Sequence, residues 1–225
     1  MNDLAKLYQK SPSAESLLTR DDDLHWSKIF PWGRGESFKL VTQIQASLSG
    51  IPWIKQFTRI YGPAILMPLA LLEKGLGFGV RALKGKRFST HLFQAPGFYS
   101  AQTCYEEPFK FGTPIMVVEG VLDAEVASLA YPWVLATLTS KISEAQVFLL
   151  SMLTRTIVVS FDNDPAGEKG LRFSTGYLRK WGLQWVDLSP PRRMKDWGDL
   201  LSLPREEMQG ELVRFQRTLK MKGVL

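Results

Sequence analysis

Four carboxylates fall where the chain leaves an apolar run or starts the segment behind it: Glu119 after Ile115–Val118, Asp123 shortly beyond, and Asp162 and Asp164 after Thr156–Phe161. Runs this apolar and β-branched read as buried strands. Ligands of open α/β sheets gather at the carboxyl ends of the strands, so Glu119, Asp162 and Asp164 are expected along one edge. Asp123, one helical turn past Glu119, leans toward the same place. Hard carboxylate oxygens on an exposed rim suit magnesium, which demands near-octahedral oxygen geometry and keeps several waters. The other role open to such acids is to cap helices or face solvent.

The elements that must hold these acids follow from the pattern around them. From Pro114 onward apolar strands alternate with helix-compatible stretches: Ile115–Val118, a helix over Leu122–Ala130, a strand over Trp133–Leu138, and a helical stripe of Ala145, Phe148, Leu149 and Met152 capped by Ser143. Thr156–Phe161 is the most β-branched run, Pro165 opens a helix that lasts to Trp181 before Gly182, and Gln184–Leu188 makes a last strand. Strands and helices in alternation predict a largely parallel sheet with helices on both faces.

Upstream, Gly75, Gly77 and Gly79 alternate with Leu76, Phe78 and Val80 after the apolar run Ile65–Leu72, a period-two pattern of strands joined by a tight turn. The glycines lack the spacing of a dinucleotide fingerprint, and Gly79–Lys86 lacks the order of a nucleotide-binding P-loop. No acid occurs from Lys74 to Tyr105, while Lys74, Arg81, Lys84, Lys86 and Arg87 are interleaved with Phe78, Phe88, Phe93, Phe98 and Tyr99. Two roles fit that stretch: phosphate contact with base stacking, or a basic hairpin whose rings belong to the core. The first sixty residues are polar and irregular, with an acidic triplet Asp21–Asp23 and a lone His25 beside Trp26 that reads as a packing or surface residue.

The 225 residues carry a formal charge of +6 and a pI near 9.4, which suits a polyanionic partner, and 45% are apolar, enough for a folded core. A single cysteine, Cys104, excludes an intrachain disulfide and a cysteine-rich zinc site, so a reducing cytoplasmic setting is expected. The N-terminus has no signal-peptide pattern. The most apolar stretch, Gly62–Leu72, is broken by Pro63 and Pro68 and is too short to span a bilayer, so no membrane role is expected.

Val118-Glu119-Gly120-Val121-Leu122-Asp123 followed by Phe161-Asp162-Asn163-Asp164-Pro165-Ala166-Gly167 resembles the paired signature of the TOPRIM superfamily. Ala136-Thr137-Leu138-Thr139 and Lys195-Asp196-Trp197-Gly198-Asp199-Leu200-Leu201 resemble further motifs of its primase-type members, and Ile65-Leu66-Met67-Pro68 with Gly77–Arg81 resembles the subdomain that precedes TOPRIM in bacterial-type DNA primases. The resemblance implies an α/β fold in four parts: a mainly helical or irregular segment over 1–61, a basic α+β subdomain over 62–113, the TOPRIM domain over 114–201 and a helical tail over 202–225.

It also implies roles. Glu119 would lie nearest the reacting phosphate, Asp162 and Asp164 would be metal ligands, Asp123 would support them, and the cofactor would be magnesium, or manganese in its place, with no zinc. Arg81, Lys84, Lys86, Arg87 and Lys195 would hold phosphates, and Asp196 would be a further acid beside the metal. The chain departs from those primases in having neither the cysteines nor the room for their zinc-binding module, which resembles the stripped-down primases of phages or mobile elements. The activity so implied is magnesium-dependent synthesis of short RNA primers from nucleoside triphosphates on a single-stranded DNA template, with a replicative helicase or another replisome protein as partner. A TOPRIM nuclease using the same carboxylates, and a non-catalytic nucleic-acid-binding replication subunit, are the alternatives.

Overall fold

The computed structural model describes residues 39–41, 51–71, 74–82, 87–92, 97–101, 104, 109–191 and 194–225. Its contacts divide into two units, Met1–Leu69 with Gly75–Ala95 and Ala70–Lys74 with Pro96–Leu225. His25, Asp21–Asp23, Lys84 and Lys86 lie outside the described residues.

The first unit holds a four-stranded sheet in the order β1-β2-β3-β4, with β1 Lys39–Val41, β2 Ala64–Leu71, β3 Lys74–Ala82 and β4 Phe88–Leu92. β1 is antiparallel to β2 and pairs only with Ala64–Leu66, so Pro68, which has no N–H to give, lies past that ladder. β3 is antiparallel to β4, with Arg81 opposite Phe88. Helix α1, Pro52–Tyr61, begins on a proline and buries Ile54, Phe57 and Thr58. It stops at Gly62, whose φ of 80° suits a residue without Cβ. Phe57 packs with Ala64, Val80 and Ala82 in a small core against which Trp53 leans.

The second unit is a five-stranded sheet in the order β5-β7-β6-β8-β9: β5 Tyr99–Ser100, β6 Ile115–Val118, β7 Val134–Ala136, β8 Thr156–Val159 and β9 Gln184–Asp187. β6 is parallel to both β7 and β8, and β8 to β9, while the edge strand β5 runs antiparallel to β7. All four residues of β6 are buried, as a central strand covered on both faces requires. The fold class expected from the alternation of strands and helices is the one observed. Two strands are shorter than their apolar runs: Ser160 still donates to Val117 O at 2.9 Å, but the backbone beyond it leaves the ladder toward Asp162.

Helices α2 Val121–Ala127, α3 Glu144–Ser151 and α4 Pro165–Lys180, a 3-10 turn Gly198–Ser202 and α5 Arg205–Met221 complete the unit. α3 starts on the expected cap: Ser143 Oγ accepts from Gln146 N–H, and the Gln146 amide also donates to Gly97 O at 2.7 Å and Thr137 O at 3.2 Å. α5 buries Met208, Leu212, Phe215 and Leu219 along one stripe. It meets Trp197, whose ring centroid is 4.7 Å from that of Phe215 and whose Nε1–H donates to buried Ser160 Oγ at 2.9 Å. Cys104 is buried, its thiol donates to the carbonyls of Pro132 and Val134 at 3.4 Å each, and burial pushes its pKa up to about 12. Among the described residues no helix is long and apolar enough to cross a membrane.

Candidate metal centre

After β6 the chain moves to β7 on one side, and later crosses to β8 on the other, so the loops behind β6 and β8 part at the carboxyl edge of the sheet. A crevice at such a reversal is where open α/β sheets bind ligands. Glu119 is the first residue after β6. Its carbonyl accepts from Leu138 N–H at 2.9 Å, and Leu138 has a φ of 65°, a left-handed conformation costly for a side chain of this kind. The Glu119 carboxylate reaches across and accepts from the backbone N–H of Asp162 at 3.2 Å.

The Asp162 loop is held from three sides. An added Cβ on Gly167 would lie 2.1 Å from Asp162 O, so the first turn of α4 sits against the loop at a distance only glycine permits. Asp164 caps α4: its Oδ1 accepts from Ala166 N–H and Gly167 N–H, both at 2.9 Å, with Pro165 at the first helical position. Asn163 ties the loop to a third segment, donating its N–H to Lys195 O at 2.6 Å and its side-chain amide to Met194 O at 2.7 Å.

That segment brings the remaining charged groups. Lys195 Nζ is 3.3 Å from Asp164 Oδ2, and its backbone N–H donates to Asp199 Oδ2 at 2.8 Å. Asp199 N–H in turn donates to Asp196 Oδ1 at 2.9 Å. Asp123 stands beside the same cluster, within reach of the charges of Asp162 and Asp196. It is half-buried, with one oxygen accepting from Gly120 N–H at 3.2 Å and the other from Gly198 N–H at 3.1 Å. Each oxygen accepts one backbone N–H, so Asp123 also joins α2 to the 3-10 turn.

The charges register this crowding. Burial, then the charge of Asp162, raises Glu119 to about 7. Burial, then Asp162 and Asp196, raises Asp123 to about 7, and burial, then Asp196, raises Asp162 to about 6. Lys195 pulls Glu119 and Asp162 the other way. Asp164 is held below its usual value, first by Gly167 N–H and also by Lys195, while Lys195 is raised by Asp164. Glu119, Asp123 and Asp162 resist ionisation beside one another, so this all-oxygen cluster is short of positive charge, the chemistry a hard divalent cation relieves. No three acidic, histidine or cysteine side chains among the described residues already stand at metal-binding distance. The donor types fit magnesium, with Glu119, Asp162 and Asp164 as the groups that would hold it.

An open cavity of about 410 Å³ lies beside Asp162, lined by Phe161, Asn163, Gly167, Glu168 and Asp187 among others. Arg81 lies in β3 of the first unit, and Arg87 is exposed there, its guanidinium carbon 5.8 Å from the centroid of the Tyr61 ring. Of the rings interleaved with the basic residues, Phe98 and Tyr99 are fully enclosed in the second unit, with 0% and 2% exposure, and so serve the core. Asn163, Gly167, Leu138 and Asp199 were given no role by sequence. The Asp-Pro-Ala-Gly succession was a signal for the tight helix start, but no local pattern announces the other three.

Residues 116–201 match the family model described as Toprim-like. No curated protein matches the chain. The fold is that of the catalytic core of bacterial primases. The zinc-binding and RNA polymerase domains of Aquifex aeolicus primase superpose with a TM-score of 0.64 at 15% identity, over 94% of this chain and 60% of that one. The RNA polymerase domain of Mycobacterium tuberculosis primase DnaG gives 0.60 at 15% identity, over 94% and 82%. A DnaG primase catalytic domain bound to single-stranded DNA gives 0.60 at 14% identity, over 94% and 78%. This chain thus spans less than two thirds of the Aquifex structure.

Proposed function

We propose that this chain, with its Toprim-like domain on a primase catalytic-core fold, is a magnesium-dependent nucleotidyltransferase that joins ribonucleotides into short primers on single-stranded DNA. The observation that carries this is the convergence of Glu119, Asp162 and Asp164 with Lys195 at the switch point of the sheet. Template strand and nucleoside triphosphates are the substrates, and a soluble cytoplasmic setting with a replicative helicase or other replisome protein is the context this function implies.

When bound at Glu119, Asp162 and Asp164, magnesium supplies neutralisation of triphosphate charge and orientation of the attacking 3′ oxygen. The chain's own residues do the rest. The hydrogen bond from Asp162 N–H fixes the Glu119 carboxylate at the mouth of the crevice. Asp123 and Asn163 keep the 194–199 segment against the strand ends, and Lys195 offers its ammonium to a phosphate oxygen. Arg81, Lys84, Lys86 and Arg87 are assigned to backbone phosphates, a role that stands on their sequence pattern alone.

The test is to incubate purified protein with single-stranded DNA, labelled ribonucleotides and magnesium or manganese, and to size the products. Template-dependent oligoribonucleotides are expected. Cleavage of the DNA with metal alone would make the chain a nuclease, and binding without either product would make it a non-catalytic accessory subunit.

A further inference from the structure

We propose that Lys195 is the internal counter-ion of the acidic centre: its ammonium holds Asp164 in the metal-free protein and must release it when a divalent cation binds. This rests on the preceding assignment of the centre as a metal site. The decisive geometry is a division of labour between the two oxygens of one carboxylate. Asp164 Oδ1 is committed to the N–H groups of Ala166 and Gly167, so Oδ2 is the oxygen left for a metal. Oδ2 is also the atom that Lys195 Nζ approaches at 3.3 Å. Lysine and cation therefore compete for one atom.

The lysine is built for such an exchange. Its backbone is clamped, the carbonyl by Asn163 N–H at 2.6 Å and the N–H by Asp199 Oδ2 at 2.8 Å, so the side chain always springs from beside the Asp162 loop. Its tip is 54% exposed and free to turn outward. The groups facing it among the described residues are Asp162, Glu119, Asp164 and Asp196, all acidic, so this ammonium is a charge that tempers the cluster until a doubly charged ion replaces it. Displacement leaves a cation at the rim released from Asp164, ready for an anionic phosphate, so that metal binds before substrate phosphate rather than after it.

Manganese is titrated calorimetrically into the full chain and into Lys195→Ala and Lys195→Arg, with circular dichroism to establish the fold of each. Removing the competitor should tighten manganese binding roughly fivefold in the alanine variant, the scale of an exposed ion pair. The arginine variant should bind no more tightly than the parent, because its guanidinium still takes Oδ2. Reductively ¹³C-methylated protein gives a second measure: the lysine resonance missing from Lys195→Arg should move to an exposed-lysine position on adding magnesium, and should start there in Asp164→Asn. The counter-ion role is overturned if the parent binds manganese and Lys195→Ala binds it equally or less tightly, or if the resonance ignores magnesium. If neither protein binds manganese, the metal assignment itself fails together with this one.

Discussion

The carboxylate of Glu119 accepts a hydrogen bond at 3.2 Å from the backbone N–H of Asp162, so the acid that ends one strand is anchored on the loop that ends its neighbour. The contact spans forty-three positions of sequence and is made only when β6 and β8 lie side by side in register, Ile115 opposite Ile157. Sheet pairing and site assembly are therefore one event, and substitutions at the two ends of this bond should separate charge from anchorage.

Glu119→Gln keeps an oxygen to accept the Asp162 N–H and removes only charge. Activity should fall by two orders of magnitude or more, on the scale of lost charge stabilisation, while manganese affinity should drop less than in Asp162→Asn. Calorimetry on both variants decides. Equal loss of binding would make Glu119 an ordinary ligand.

Asp164→Asn retains a good helix cap, since asparagine oxygen accepts the same N–H groups as Asp164 Oδ1. Its melting temperature should stay near that of the parent and its primer synthesis should be abolished. Wild-type turnover at saturating magnesium would end the claim that this carboxylate serves the metal.

Stability of the metal-free protein should fall as pH rises. Asp123 and Asp162 move from the usual 3.8 to about 7 and about 6, and Glu119 from 4.5 to about 7. The unfolded chain thus releases these protons first, and stability present below about pH 4 is lost on the way to about pH 7. Magnesium, which binds the ionised carboxylates, should cancel the trend. Thermal melts between about pH 5 and about pH 8, in chelator and in excess magnesium, measure it, and a chelated protein that gains stability across that interval would contradict it.

Glycines in α4 should separate into two kinds. Alanine at Gly167 places a methyl 2.1 Å from Asp162 O, and at Gly170 1.6 Å from Ser140 O, backbone atoms that cannot step aside. Each should cost on the order of 1–3 kcal/mol or more, and Gly167→Ala should also weaken manganese binding because it displaces the Asp162 loop. Gly176 faces open space inside the same helix, so Gly176→Ala should stabilise by about 0.5–1 kcal/mol. Denaturant titrations of the three variants rank them, and a stabilised Gly167→Ala would refute the close approach.

How much of this could be read beforehand follows from how local each cause is. β6 and β8 declare themselves because a strand buried on both faces must be apolar throughout, and α4 because Pro165 and Gly182 bracket it. Acids directly behind such strands are bound to share an edge, so Glu119, Asp162 and Asp164 were legible as a group. The tie of Asp123 to the 3-10 turn was hidden because its partner there, Gly198, is seventy-five positions away, and nothing near residue 123 announces that contact. The role of Phe98 and Tyr99 stayed open in the sequence because a ring among basic residues has the same composition whether it stacks on a base or fills a core. The pairing of Lys195 with Asp164 depends on a loop held by Asn163, a long-range arrangement that no periodicity encodes.

The chemical silence of Cys104 makes the molecule easy to instrument. Its thiol is enclosed and its pKa lies near 12, so at neutral pH almost no thiolate exists to meet an alkylating dye. As the chain has no other cysteine, a thiol introduced by Ala166→Cys, at an exposed position two residues from Asp164, would carry the only label without any background to engineer away. A fluorophore there would sit beside the oxygen contested by lysine and metal, and could report their exchange in real time, one turnover after another.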